Sequence, residues 1–92
     1  MNYRIRLSPD AEEHLEEWKH SGQIAVLQKL AKLFDELESH PMTGTGKPER
    51  LRGNLKGYWS RRITKADRLV YCIHGEEILV SVVSLKGHYE DK

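Results

Sequence analysis

Apolar and charged residues alternate from Tyr3 to Leu7, the period-two signature of a half-buried strand. The period then lengthens. Ser8-Pro9 offers a good N-cap followed by a proline, which the first helical position tolerates because its missing N–H would be unpaired anyway. Acidic residues crowd the next turns, where the helix dipole favours them. Ala11, Leu15 and Trp18 fall at i, i+4 and i+7 and form one apolar stripe. Ser21-Gly22 interrupts the pattern. A second helix is predicted from about Gln23 to Glu38, with Ile24, Leu27, Leu30, Ala31, Phe34 and Leu37 on its apolar face. Two amphipathic helices with so short a joint read as an αα-hairpin.

From His40 to Pro48 the chain has two prolines, two glycines and no periodicity, so a loop is expected. Beyond it the period is two. Glu49 to Leu55 predicts a short strand with a bend at Gly53-Asn54, and Tyr58 to Thr64 a longer one. A tight turn at Lys65-Ala66-Asp67 leads to a strand from Arg68 to His74. Gly75-Glu76 turns the chain into a last strand from Glu77 to Leu85. That last strand is nearly continuous in Ile, Leu and Val, as expected for a central position covered on at least one face. The fold class is therefore α+β: an N-terminal strand, a two-helix hairpin, then an antiparallel β-meander of three to four strands packed on the helices. One sheet face is expected under the helices and the other open to solvent. Residues 1–92 are expected to form one domain.

Composition narrows the setting. About 38% of residues are hydrophobic, enough for a globular core. No apolar run is long enough to span a bilayer, and residues 1–20 lack a signal-type apolar core. Cys72 is the only cysteine, so no intramolecular disulfide can form. A cytoplasmic location with no membrane partner is expected. The net charge of +1 hides two opposed fields. Asp10 to Pro41 carries eight acidic residues against three basic, whereas Lys47 to Tyr71 carries eight basic against two acidic. A basic half suits a phosphate-bearing partner, although acidic helices offsetting basic strands would also serve solubility.

The candidate chemistry lies in the basic half. None of the five histidines has a zinc-type spacing to another histidine or cysteine, and Cys72-Ile73-His74 has no second pair nearby. No phosphate-cradling glycine loop is present, since Gly44-Thr45-Gly46-Lys47 is too short for one. No metal and no cofactor are expected. Alternation in the Tyr58–Thr64 strand puts Tyr58, Ser60, Arg62 and Thr64 on one face, and Trp59, Arg61 and Ile63 on the other. The first face carries a ring, hydroxyls and a guanidinium, as a nucleotide platform would. Trp59 is expected in the core or an interface. Arg68, just past the turn, would approach Arg62, and two converging arginines are stabilised when an anion arrives. His88-Tyr89 follows the last strand, and a histidine suits proton transfer near neutral pH.

The run Gly44-Thr45-Gly46-Lys47-Pro48-Glu49, through Asn54-Leu55-Lys56-Gly57-Tyr58-Trp59-Ser60-Arg61-Arg62-Ile63, to Arg68-Leu69-Val70-Tyr71 and the terminal His88-Tyr89, resembles the YoeB/Txe toxins. These belong to the RelE-like superfamily of type II toxin–antitoxin systems. The resemblance covers essentially the whole chain in length and element order. It implies a metal-independent, ribosome-dependent mRNA endoribonuclease that cuts at the A site and inhibits translation. It also implies an antitoxin partner and a homodimer. By the same resemblance Glu49, Arg68, His88 and Tyr89 match catalytic positions, and Arg62 matches a second arginine of the site. Arg52 falls where the family places a substrate-contacting lysine, so charge is kept but hydrogen-bond geometry is not. Lys47 is grouped with Arg52 and Arg62 as substrate-binding. The family pattern ends at His-Tyr, whereas this chain continues with Glu90-Asp91-Lys92.

RNA supplies its own nucleophile, the 2′-OH. Cleavage then needs a base, a cation for the charge developing on phosphorus, and an acid for the leaving 5′-oxygen. Glu49 is assigned as base and His88 as acid, with the reverse assignment left open by sequence. Arg68 and Arg62 stabilise the charge, and Tyr89 orients the substrate. Two other readings compete: a non-cleaving RNA- or ribosome-binding module, and an interaction protein that pairs through a sheet edge or helix stripe. Codon preference and the identity of the antitoxin are not readable from the sequence.

Overall fold

The computed structural model describes residues 2–83. Strand β1 (Arg4–Leu7) leads into helices α1 (Pro9–Ser21) and α2 (Ile24–Ser39). Strands β2 (Glu49–Arg50), β3 (Tyr58–Arg62), β4 (Arg68–His74) and β5 (Glu77–Val83) follow, with one short 3₁₀ turn at Gly53–Leu55 between β2 and β3. The expected α+β order is thus present. The expected strand from Glu49 to Leu55 is only two residues long, because Gly53, at φ 64°, turns the chain into the 3₁₀ segment.

The sheet order is β1-β5-β4-β3-β2. Strands β2 to β5 form the antiparallel meander, but β1 pairs with β5 in parallel, Arg4 opposite Glu77 and Leu7 opposite Val80. The last strand is therefore interior, flanked by β1 and β4, which explains its continuous apolar run. The long connection that a parallel pair requires runs through both helices and strands β2 to β4.

Helix α1 begins as its sequence dictates. The Ser8 hydroxyl accepts from the Ala11 N–H at 3.0 Å, and it donates to the Ser81 carbonyl at 2.7 Å. Ser81 is the residue left unpaired where the β4–β5 register shifts, so the cap also ties α1 to that irregularity. Gly22 at φ 75° ends the helix.

The core lies between the helices and one sheet face. Ala11, Trp18, Leu30, Leu33 and Leu37 meet Leu69, Tyr71, Ile78, Val80 and Val83. The predicted face of α2 is rotated in one respect. Leu33 is fully buried, whereas Ala31 is exposed and Ile24 is 63% exposed. Leu30, Leu33 and Leu37 form the buried ridge at i, i+3 and i+7, and Ala31 lies on its flank.

Candidate active site

Glu49 opens β2 opposite Ser60 of β3. Ser60 in turn lies opposite Val70 of β4, and Arg62 lies directly opposite Arg68. Residues opposed in an antiparallel pair share a face. Because Trp59 and Arg61 point to the helix side, Glu49, Ser60, Arg62 and Arg68 gather on the other face. Arg68 Nη1 lies 3.7 Å from Glu49 Oε1 and donates to Ser60 Oγ at 3.3 Å. The two side chains remain 30% and 59% exposed. An ion pair this open contributes only about 0–1 kcal/mol to stability. It leaves a carboxylate oxygen and guanidinium N–H groups within reach of a ligand.

Two loops hold this arrangement. Between β3 and β4, the Thr64 hydroxyl donates to Asp67 Oδ2 at 2.7 Å and accepts from the Ala66 and Asp67 N–H groups. The Ile63 N–H donates to the Asp67 carbonyl at 2.8 Å, which closes the turn and sets Arg68 opposite Arg62.

The second loop joins α2 to β2 and wraps a buried cation. Arg61 is 0% exposed. Its Nη1 donates to Glu36 Oε1 at 2.7 Å and to the Thr45 carbonyl at 3.2 Å. Its Nη2 donates to the carbonyls of His40 (2.9 Å) and Thr43 (2.7 Å), and its Nε to the Tyr71 hydroxyl at 3.2 Å. Tyr71 donates onward to the Pro41 carbonyl. Glu36 also accepts from the Thr45 N–H and hydroxyl, each at 2.7 Å. Burial pushes the Glu36 carboxyl up, but the Thr45 and Arg61 donors outweigh it and hold the group below its usual value. Burial pushes the Tyr71 hydroxyl up, with Arg61 opposing. Three loop carbonyls, those of His40, Thr43 and Thr45, thus converge on one guanidinium. Farther along, the Arg62 N–H donates to the Gly46 carbonyl at 2.7 Å. A Cβ on Gly46 would lie 2.9 Å from the Arg62 carbonyl, so only glycine permits this approach. Lys47 follows in a left-handed conformation, φ 51°, and two residues later the chain delivers Glu49 to the sheet edge.

The structure therefore brings together Glu49, Arg62 and Arg68. Lys47 and Arg52 are exposed on the same chain segment, to either side of β2, and Arg52 precedes the 3₁₀ turn. His88 and Tyr89 lie outside the described residues. The last described residue, Val83, is held at both backbone groups: its N–H donates to His14 Nδ1 at 3.1 Å, and its carbonyl accepts from Trp18 Nε1 at 3.2 Å. Trp59 is half-buried against the core, with the Arg50 guanidinium 5.4 Å from its ring centroid. The Arg61 network escaped the sequence reading. Its one signal was alternation, which places an arginine on the core face, where a buried charge requires a carboxylate partner. Among the described residues no three His, Cys, Asp or Glu side chains gather as metal ligands.

Residues 7–89 match the model of a family described as the YoeB-like toxin of bacterial type II toxin-antitoxin system. The chain is 38% identical over 73 residues to Toxin YoeB of Synechocystis, covering 79% of this chain and 83% of that one. Its fold superposes on a YoeB/ParE toxin from Agrobacterium tumefaciens with a TM-score of 0.82 at 31% identity, covering 94% and 99% of the two chains. Two Staphylococcus aureus structures, a YoeB dimer and a heterotetrameric YoeB–YefM toxin–antitoxin complex, give TM-scores of 0.79 and 0.77. Both are 32% identical, with 97% of this chain and all of theirs covered. A carboxylate–arginine pair on an open basic sheet is thus set in a scaffold matched from β1 onward, and the chain belongs to the YoeB-like toxins of bacterial type II toxin–antitoxin systems.

Proposed function

We propose that this toxin is a metal-independent, ribosome-dependent endoribonuclease that cuts mRNA at the A site and so inhibits translation in the cytoplasm. The observation that supports this most is the Glu49–Arg68 pair, open to solvent, with Arg62 on the opposed register position. Glu49, as a carboxylate, takes the proton of the 2′-OH. The resulting oxyanion attacks the adjacent phosphorus. Arg68 and Arg62 stabilise the charge that builds on the phosphoryl oxygens, and their mutual repulsion falls when the anion enters. His88 protonates the departing 5′-oxygen, and Tyr89 orients the substrate. The products are a 2′,3′-cyclic phosphate and a 5′-OH end. Lys47 and Arg52 hold the flanking backbone. A YefM-like antitoxin covers the site, and the toxin pairs with a second copy of itself, as the Staphylococcus aureus relatives suggest.

The test is transcript-end mapping after brief expression, with and without Arg68→Ala. The intact chain should arrest growth and leave new mRNA ends, and Glu49→Gln should lower cleavage by about 10²–10⁴-fold. pH–rate profiles of Glu49→Gln and His88→Gln assign base and acid, since each should remove a different limb. Growth arrest without new ends would favour the non-cleaving binding module instead. Near-normal cleavage by both Glu49→Gln and His88→Gln would overturn the assignment.

A further inference from the structure

Beside the Glu49–Arg68 pair the molecule carries a second feature, a cleft of about 610 Å³ at the β2 edge of the sheet. Among the described residues Arg50, Leu51, Arg52, Lys56, Tyr58 and Trp59 line it, together with Gly53 and Gly57. Three of these side chains are basic, two are aromatic, and none is acidic. The volume falls within the range of small-molecule sites. The walls are preformed. The Leu51 N–H donates to the Tyr58 carbonyl at 2.9 Å, and the 3₁₀ turn closes through Leu55 N–H to Arg52 carbonyl and Lys56 N–H to Gly53 carbonyl, each at 3.1 Å.

Its position relative to the reacting groups is fixed by register. Glu49 lies opposite Ser60, and the next residue, Arg50, lies opposite Trp59. Successive residues on a strand leave opposite faces. Arg50 and Trp59 therefore line the cleft from the face opposite Glu49, while Leu51 and Tyr58, which share the face of Glu49, line it around the sheet edge. Because β2 is only two residues long and is the edge strand, an extended polymer can pass over it from one side to the other.

We propose that this cleft is a nucleotide subsite, which takes the base and phosphate of a residue flanking the scissile bond. This rests on the endoribonuclease reading and deepens it. Single-stranded nucleic acid is gripped by cations tracking the backbone and by aromatic or guanidinium planes on which bases stack. The Trp59 ring with Arg50 5.4 Å from its centroid is one such plane, already assembled. Lys56 and Arg52 supply the phosphate contacts. Leu51 and the two glycines leave an apolar, uncrowded floor, and a Cβ on Gly57 would meet nothing within 4 Å. An acidic peptide would find the cations equally attractive, but it would leave the two rings without planar partners.

Trp59 provides the readout, because the other tryptophan, Trp18, is buried in the core. The full chain is titrated with adenosine 5′-monophosphate and with a 2′-O-methyl trinucleotide, which lacks the attacking hydroxyl and cannot be cut. Inorganic phosphate and an oligoglutamate peptide are run in parallel. Both nucleotides should quench Trp59 emission saturably, and phosphate should not. Lys56→Glu, at an exposed position that leaves the fold intact, should weaken trinucleotide binding at least fivefold. Lys56→Gln should reduce the salt slope of log K by about 0.7, the value for one phosphate contact to a single strand. Quenching by the peptide but not by nucleotides would overturn the proposal, as would a titration that Lys56→Glu leaves unchanged. Normal transcript cleavage with no quenching would remove the subsite alone. Quenching by nucleotides in a chain that cleaves nothing would instead remove the endoribonuclease reading.

Discussion

Arg61 and Arg62 are adjacent and identical in type, yet one is sealed in the core and the other faces solvent. Alternation along β3 makes the difference, and it was legible: the sequence places the two side chains on opposite faces. What was not legible is which carboxylate meets Arg61. Glu36 lies 25 residues away, on a helix with two other acidic residues in the same turn. Removing Glu36 leaves a buried guanidinium uncompensated, so Glu36→Gln should cost about 3–5 kcal/mol in urea denaturation. The pH dependence has a defined sign. The Glu36 carboxyl is held below its ordinary value, so its contribution is full above the unfolded carboxyl's pKa, near ~4.3, and is lost as pH falls through the lowered folded value. The intact chain should therefore lose stability on acidification more steeply than Glu36→Gln, measured by Tm across pH 2–6. Equal slopes would show that Glu36 is not the group responsible.

At the scale of elements, every helix and strand was legible, because each carries its own period and its own punctuation. Three things were not. Leu33 belongs to the buried ridge of α2 although Ala31 fits helical spacing nearly as well, and only the position of the sheet decides between them. The strand after the loop stops at Arg50 because Gly53 turns the chain early. The parallel pairing of β1 with β5 has no local signature, since pairing partners are chosen by tertiary packing. The candidate site divides the same way. Glu49, Arg62 and Arg68 were named from sequence and do meet, whereas the cleft formed by Arg50, Lys56 and Trp59 depends on a register that no periodicity reveals. Two element joints can be tested directly. Ser8→Ala removes both the α1 cap and the bond to Ser81, and should destabilise by about 1–2 kcal/mol. Gly46→Ala forces a side chain into a left-handed backbone against the Arg62 carbonyl, and should destabilise by more than ~1 kcal/mol, where a compatible glycine-to-alanine change would stabilise. Its larger effect should fall on cleavage, because Gly46 is three residues from Glu49 and bonds directly to β3.

Across the whole molecule, the two charge fields seen in the sequence become two layers. The acidic stretch forms the helices on one side of the sheet, and most of the basic stretch forms β2 to β4. A polyanion approaching from a distance is thus drawn toward the sheet and repelled by the helices, which orients it before contact. RNA association rates should fall steeply as ionic strength rises, while Tm changes little, since the exposed pairs contribute little to stability.

The pairing of β1 with β5 has a consequence for how the protein is made. Among the described residues β1 pairs in the sheet with β5 alone, and a contact such as Arg4 with Glu77 spans 73 residues of chain. A nascent polypeptide leaving its ribosome can assemble the helical hairpin and the early hairpins of the meander, but it cannot close the sheet until β5 has emerged. Fragments released before residue 77 should be digested rapidly by protease, whereas the finished chain should resist. A protein proposed to halt translation would then stay unfinished in its fold until its own β5 has been translated.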